Sequence, residues 1–177
     1  MTEAEILQQL DHAIRRPRAA AFLASLASDL ETALVDDPTP RLAWRSVPLC
    51  AYDSLPDGIA SSWVFALRAD CTSGAERHPN SIQRVMSYRG SADMQLWNGK
   101  AWESHRMTSG ADRPFDTRWL SIPTNVWHKP VMAGETWVVV SFHTAADDAL
   151  IEERPADDEH PDTGAISSEL YAGREAR

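Results

Sequence analysis

Cysteine is scarce in this 177-residue chain: Cys50 and Cys71 stand alone, with no CxxC spacing. That excludes a disulfide framework, and both read as small apolar residues in strands. Long apolar runs are missing too. The uncharged stretch Ala19 to Ala27 is far too short to cross a bilayer. No basic stretch leads into an apolar run and a small-residue cleavage site. These absences predict a reducing, cytoplasmic location and no membrane partner. Basic residues are outnumbered, 17 Lys and Arg against 26 Asp and Glu, for a net charge of −9. Such a chain is repelled by phosphate backbones and anionic lipid, so nucleic acid is not the expected partner. There is no Gly-rich Lys-Ser/Thr loop, no G-x-S-x-G, no HExxH and no internal repeat at solenoid periods.

The acidity is local. Residues 147 to 162 hold eight carboxylates against Arg154 and carry −7 of the −9. With its prolines, the segment beyond Ala145 reads as a weakly ordered acidic tail, 146–177, with a short helix over Ser167 to Ala172. At the other end, 1–38 reads as helical. Thr2 and Glu5 have capping-box spacing, Ile6, Leu10 and Ile14 recur at helical intervals, and Pro17 starts a second helix. There Phe22, Leu26, Leu30 and Leu34 form the expected apolar stripe.

Between them, 39–145 changes character. Leu42 to Cys50, Ser62 to Asp70, Ile82 to Arg89, Met94 to Trp97, Ala101 to Arg106, Arg118 to Ile122 and Thr136 to Thr144 are short and rich in Val, Trp, Phe and Tyr. Gly, Pro, Asn and Asp divide them, so they read as strands. Asn98-Gly99 predicts a type I′ hairpin, and residues 108 to 117 a polar loop. Seven short strands without intervening helices predict an all-β sandwich or barrel.

The chemistry-bearing residues sit in two places. Glu76 and His78 are two apart, so on extended chain they share a face; Gln83 follows, on a strand running to Gly90. Later, a turn at Pro123-Thr124-Asn125 delivers His128 onto another strand. Imidazole, carboxylate and amide oxygen all suit a first-row divalent ion.

These residues resemble the two-part signature of the cupin superfamily. Glu76 stands at its first His, His78 at its second, Gln83 at its Glu and Gly90 at its closing Gly, with the family's interval of six residues. Pro123 and His128 match the second part, and Asn125 replaces the turn Gly, tolerable because Asn adopts the left-handed conformation. Glu for His, Gln for Glu, Met132 for Asn and Thr117 for Gly are departures. The resemblance spans residues 60 to 144 and implies a double-stranded β-helix (jelly-roll) barrel with two N-terminal α-helices packed outside, pairing as a homodimer.

Two readings of the site follow. In one, Glu76, His78 and His128 hold a divalent transition metal, Fe(II) first and Zn, Mn or Ni as variants. Gln83 is then a fourth ligand or a hydrogen bonder. Two imidazoles and a carboxylate are the ligand set of non-haem Fe(II) oxygenases, so the expected function is a metal-dependent enzyme, dioxygenase-like or a lyase/isomerase, on a small organic molecule. In the other, the metal site has decayed and the barrel binds or senses a small molecule without turnover. Survival of two His and a carboxylate favours the first. Trp63, Phe65, Trp127 and His143 are candidates for the substrate pocket. His143 is an acid/base candidate if its strand phase faces inward, and a surface residue otherwise. Arg77 and Arg84 alternate away from the site.

Overall fold

The computed structural model describes residues 1–132 and 134–171. Its N-terminus is two helices, α1 (Glu3–Arg15) and α2 (Pro17–Asp36). The capping box forms: Glu5 N donates to Thr2 Oγ1 (3.3 Å) and Thr2 N to Glu5 Oε2 (2.7 Å). Pro17 sits in the first turn of α2, where its missing N–H costs nothing. The buried face of α2 is Ala19, Leu23, Ala27, Leu30 and Leu34. The expected stripe is therefore one residue out of phase at its start, and Phe22 is exposed. Alanine at two of these positions lets the helix approach its neighbour closely.

That neighbour is a five-stranded antiparallel sheet in the order β1-β2-β8-β3-β6. Its strands are β1 (Leu42–Ser46), β2 (Ser61–Leu67), β3 (Gln83–Arg89), β6 (Trp119–Ile122) and β8 (Trp137–His143). β2 and β8 are buried at every position, because each face has a cover. Val64, Ala66, Val138, Val140 and Phe142 meet the helices. Trp63, Phe65, Leu67, Trp137 and Val139 face the other way, into the barrel. Two ion pairs fasten α1 to the outer face: Glu3 accepts from Arg84 (2.7 and 2.9 Å), and Asp11 from Arg118 (2.6 Å) and Trp119 Nε1 (2.9 Å). Arg84 thus lies outside the barrel, as alternation predicts.

The opposing layer contains β4 (Ser91–Trp97), β5 (Trp102–Thr108) and β7 (His128–Met132), ordered β5-β4-β7, and the hairpin β9 (Ile151–Pro155) and β10 (Ile166–Leu170). The chain around Glu76 and Arg77 joins the two groups. Glu76 and His128 exchange two backbone hydrogen bonds (2.9 and 2.8 Å), and Arg77 and Glu153 exchange two of 3.0 Å. Met94, Met107 and Met132 of this layer pack against the inner face of the first. The result is the double-stranded β-helix barrel, with the two N-terminal helices outside.

Three local readings are corrected. The acidic segment beyond Ala145 is not a loose tail: it carries β9 and β10, and residues 167–170 are strand rather than helix. Composition reports a solvated segment, but alternation on β9 turns Glu152 and Arg154 inward and leaves only part of the charge outside. At the β4–β5 hairpin, Gly99 has positive φ but Asn98 does not; the Asn98 side chain instead accepts from the N–H groups of Lys100 and Ala101 (both 2.9 Å). The polar loop contains a single helical turn, α3 (Phe115–Arg118).

Candidate metal centre

Three backbone features bring the candidate ligands together. The extended chain at Glu76 runs antiparallel to β7, which sets Glu76 opposite His128. Asn125 adopts φ +63°, and its N–H donates to the His78 carbonyl (3.1 Å). The turn before His128 is thereby tied to the other ligand segment. Gln83 opens β3 and pairs with His143 and Ile122 across the sheet, on the inward-facing set.

One donor atom each from Glu76, His78 and His128 lies within 4.8 Å of the other two, and His128 Nε2 is 3.5 Å from Glu76 Oε1. Three donors sharing one ion bonded at about 2.0–2.2 Å sit roughly 3–4 Å apart. The His128–Glu76 pair is already at that spacing, and the wider separations must close by up to about 1 Å on binding.

The hydrogen bonds at the far side of each ring decide what the near side offers. His78 Nδ1 lies 2.9 Å from the Ile151 carbonyl and His128 Nδ1 3.1 Å from the Val126 carbonyl. A carbonyl accepts only, so both Nδ1 atoms carry the proton and both Nε2 atoms present a lone pair. Those Nε2 atoms are buried with no hydrogen-bond partner, as is Gln83 Oε1. Orphaned buried acceptors are costly, and a divalent cation between them satisfies both Nε2 atoms at once; fixed tautomers of this kind are how metal-binding imidazoles are oriented. Burial pushes His78 down to about 4, against the pull of Glu76, so its ring is neutral at physiological pH. Burial alone would raise Glu76, but the guanidinium of Arg154 on its Oε2 holds the carboxyl below the usual range. The donor set therefore fits a divalent metal as two imidazole Nε2 atoms and one ionised carboxylate.

The sequence missed two partners, both in the acidic segment. Arg154 donates to Glu76 Oε2 (2.8 Å), Glu152 Oε1 (2.6 Å) and the Ser73 carbonyl (2.8 Å). This leaves Oε1 of Glu76 facing the histidines. Tyr171 packs its ring 5.9 Å from His78 and 5.2 Å from Trp63. A period-2 reading of residues 151 to 155 would have put Arg154 on the face of Glu152, opposite Glu153, which salt-bridges Arg77 (2.7 Å).

The remaining candidates separate. His143 is not on the surface: it is buried, its ring 5.0 Å from that of His78. Its nitrogens contact Ser141 Oγ (3.2 Å) and Ser81 Oγ (3.4 Å), and burial holds it well below the usual histidine range. Phe65 and Gln83 line a cavity of about 570 Å³ between the two layers, together with Glu76, Arg154 and Tyr171. Trp63 is buried beside that cavity, its Nε1 unpartnered. Trp127 is directed elsewhere, its Nε1 donating to Asp162 (3.0 Å) and its ring lying under Arg77 (4.3 Å).

No protein-family model matches the chain, and no curated protein matches it. Solved structures of cupin-type proteins do resemble it. Oxalate oxidase in complex with the substrate analogue glycolate is 17% identical, over 59% of this chain and 51% of that one, with a TM-score of 0.45. KdgF from Halomonas sp. is 15% identical over 63% and 88%, at 0.45, and pumpkin seed globulin 16% identical over 66% and 28%, at 0.49. The matched region thus spans about half the length of the oxalate oxidase chain. At such values none of them says what this chain binds or transforms.

Proposed function

We propose that this barrel is a metal-dependent enzyme acting on a small organic molecule, with Fe(II) dioxygenase-like chemistry the leading case and a Zn, Mn or Ni lyase or isomerase the variant. The observation that carries it is the pair of buried, unpartnered Nε2 atoms of His78 and His128, converging on the ionised Glu76. These three residues hold the ion, and Gln83 Oε1 supplies a fourth donor. A divalent ion held there would supply Lewis acidity towards a carbonyl or carboxylate and, as Fe(II), an electron source for O₂. The chain does the rest. The Ile151 and Val126 carbonyls fix the imidazoles, Arg154 orients the carboxylate, and the cavity admits the organic partner while its aromatic wall excludes water. The cupin resemblance adds pairing as a homodimer to this proposal, and the unpaired cysteines a cytoplasmic location. Among the described residues, no helix is long and apolar enough to cross a membrane.

One observation favours the second reading, a non-catalytic ligand-binding or sensor barrel. Arg154 already neutralises Glu76, as it would in a site that had dispensed with metal. Elemental analysis by plasma mass spectrometry, on protein purified without a histidine tag or chelator, separates the two. Near-stoichiometric transition metal is expected. No metal, and none taken up on anaerobic reconstitution with Fe(II), would leave the binding barrel.

A further inference from the structure

The cavity is asymmetric along its length. Its polar lining residues are Ser73, Glu76, Gln83, Arg154, Glu169 and Tyr171; Arg154 bonds Glu76, Glu152 and the Ser73 carbonyl, and Glu169 lies opposite Glu152 on the β9–β10 hairpin, so most of them cluster around Arg154. From there the inward positions of the five-stranded sheet run through Val85, then Phe65 and Val139, then Leu67, all lining the cavity. The register Gln83↔His143, Val85↔Ser141, Phe65↔Val139 and Leu67↔Trp137 makes these successive rows. Three steps of two residues at about 3.3 Å per residue give roughly 20 Å. A volume of about 570 Å³ lies in the range that encloses a drug-sized organic molecule. Arg154 spends three N–H groups on Glu76, Glu152 and Ser73; a guanidinium has five.

We propose, relying on the metal-centre reading for one of the head group's two partners, that the cavity takes an organic anion with one carboxylate head and an unbranched or aromatic apolar body. The head sits between the Arg154 guanidinium and the ion held by Glu76, His78 and His128, and the body lies along Phe65, Val139 and Leu67. A dicarboxylate or a sugar does not fit this distribution, because its second polar end would be buried against apolar rows without a partner.

The test is isothermal titration calorimetry on the full chain, metal-depleted and loaded with redox-inert Zn(II). The probes are straight-chain carboxylates from butanoate to decanoate, and the matching primary alcohols. The acids should bind the loaded protein at least tenfold more tightly than the alcohols. Each added methylene should tighten binding about fourfold, the change that about 0.8 kcal/mol per buried CH₂ gives. Leu67→Phe, at the far end of the row, should shorten the longest chain accepted while zinc content stays the same. Affinity independent of chain length, or alcohols equal to acids, overturns the proposal. The two readings fail separately. Zinc retained with no acid bound refutes the ligand class and leaves the metal centre. Chain-length-dependent acid binding by protein that retains no zinc refutes the metal centre and keeps the carboxylate site on Arg154.

Discussion

Replacing Glu76 by Gln keeps the size of the side chain and removes its charge, which makes it the most informative single change at the candidate metal centre. In the metal-free protein the cost should be small. Arg154 keeps its bonds to Glu152 Oε1 and the Ser73 carbonyl and loses one charge-assisted contact, about 1.5–3 kcal/mol. Part of that is offset because a carboxylate no longer has to be buried. A net loss of about 1–2 kcal/mol corresponds to a Tm lower by about 2–8 °C for a domain of this size. The metal response should differ far more. At a free metal concentration of about 100 Kd, binding stabilises the folded state by about 2.7 kcal/mol, a rise in Tm of about 5–11 °C. If the substitution weakens affinity about 100-fold, the same metal concentration gives only about 0.4 kcal/mol, or about 1–2 °C. Melting both proteins with and without Zn(II), with metal content measured in parallel, reads all four numbers. A variant stabilised by metal as much as the parent would show that Glu76 is not a ligand, whatever the distances suggest.

Two further outcomes concern the framework. Gly90 has φ +75°, and a Cβ there would lie 2.6 Å from the Thr136 carbonyl oxygen; Gly90→Ala should cost about 2–4 kcal/mol. Gly58→Ala, at φ +85° with nothing within 4 Å, should cost about 1 kcal/mol, and urea unfolding that reversed this order would refute the steric account. Asp11 is held down at about 2 because hydrogen bonds from Arg118, Arg15 and Trp119 outweigh the raising effect of its burial. Its folded pKa lies below the unfolded value, so the unfolded chain binds more protons between them and stability rises with pH. The contribution should be complete above about pH 4 and lost as pH falls towards 2; acid unfolding of Asp11→Asn should be flatter than the parent's in that window, and identical curves would sink the assignment.

What the sequence made legible was local. The seven strands read between residues 42 and 144 announced themselves through β-branched and aromatic runs between turn residues, and their observed bounds differ by a few residues, whereas β9 and β10 escaped. Glu76 and His78 stood out because their spacing places them on one face, and His128 with Asn125 through the turn before it and the cupin resemblance, Asn being tolerant of that turn. What escaped depended on neighbours distant in the chain. His143 looked like a strand-end surface residue until β2 and β3 were set on either side of its strand. Arg154 was hidden inside a run of carboxylates whose average charge masks the alternation of β9. Phe22 misled because helix phase was judged by size, whereas close contact with a sheet favours Ala19 and Ala27 at the interface.

Order of synthesis adds a constraint on when the site can work. Arg154 follows Glu76 by 78 residues, roughly 4–16 s of translation at 5–20 residues per second. The Ile151 carbonyl that sets the His78 proton arrives just before it. Throughout that interval Glu76 and His78 exist on a chain that has neither their orienting groups nor the Tyr171 ring beside them. If an ion is held there, its complete and oriented donor set exists only once residues 151 to 171 have folded onto the barrel.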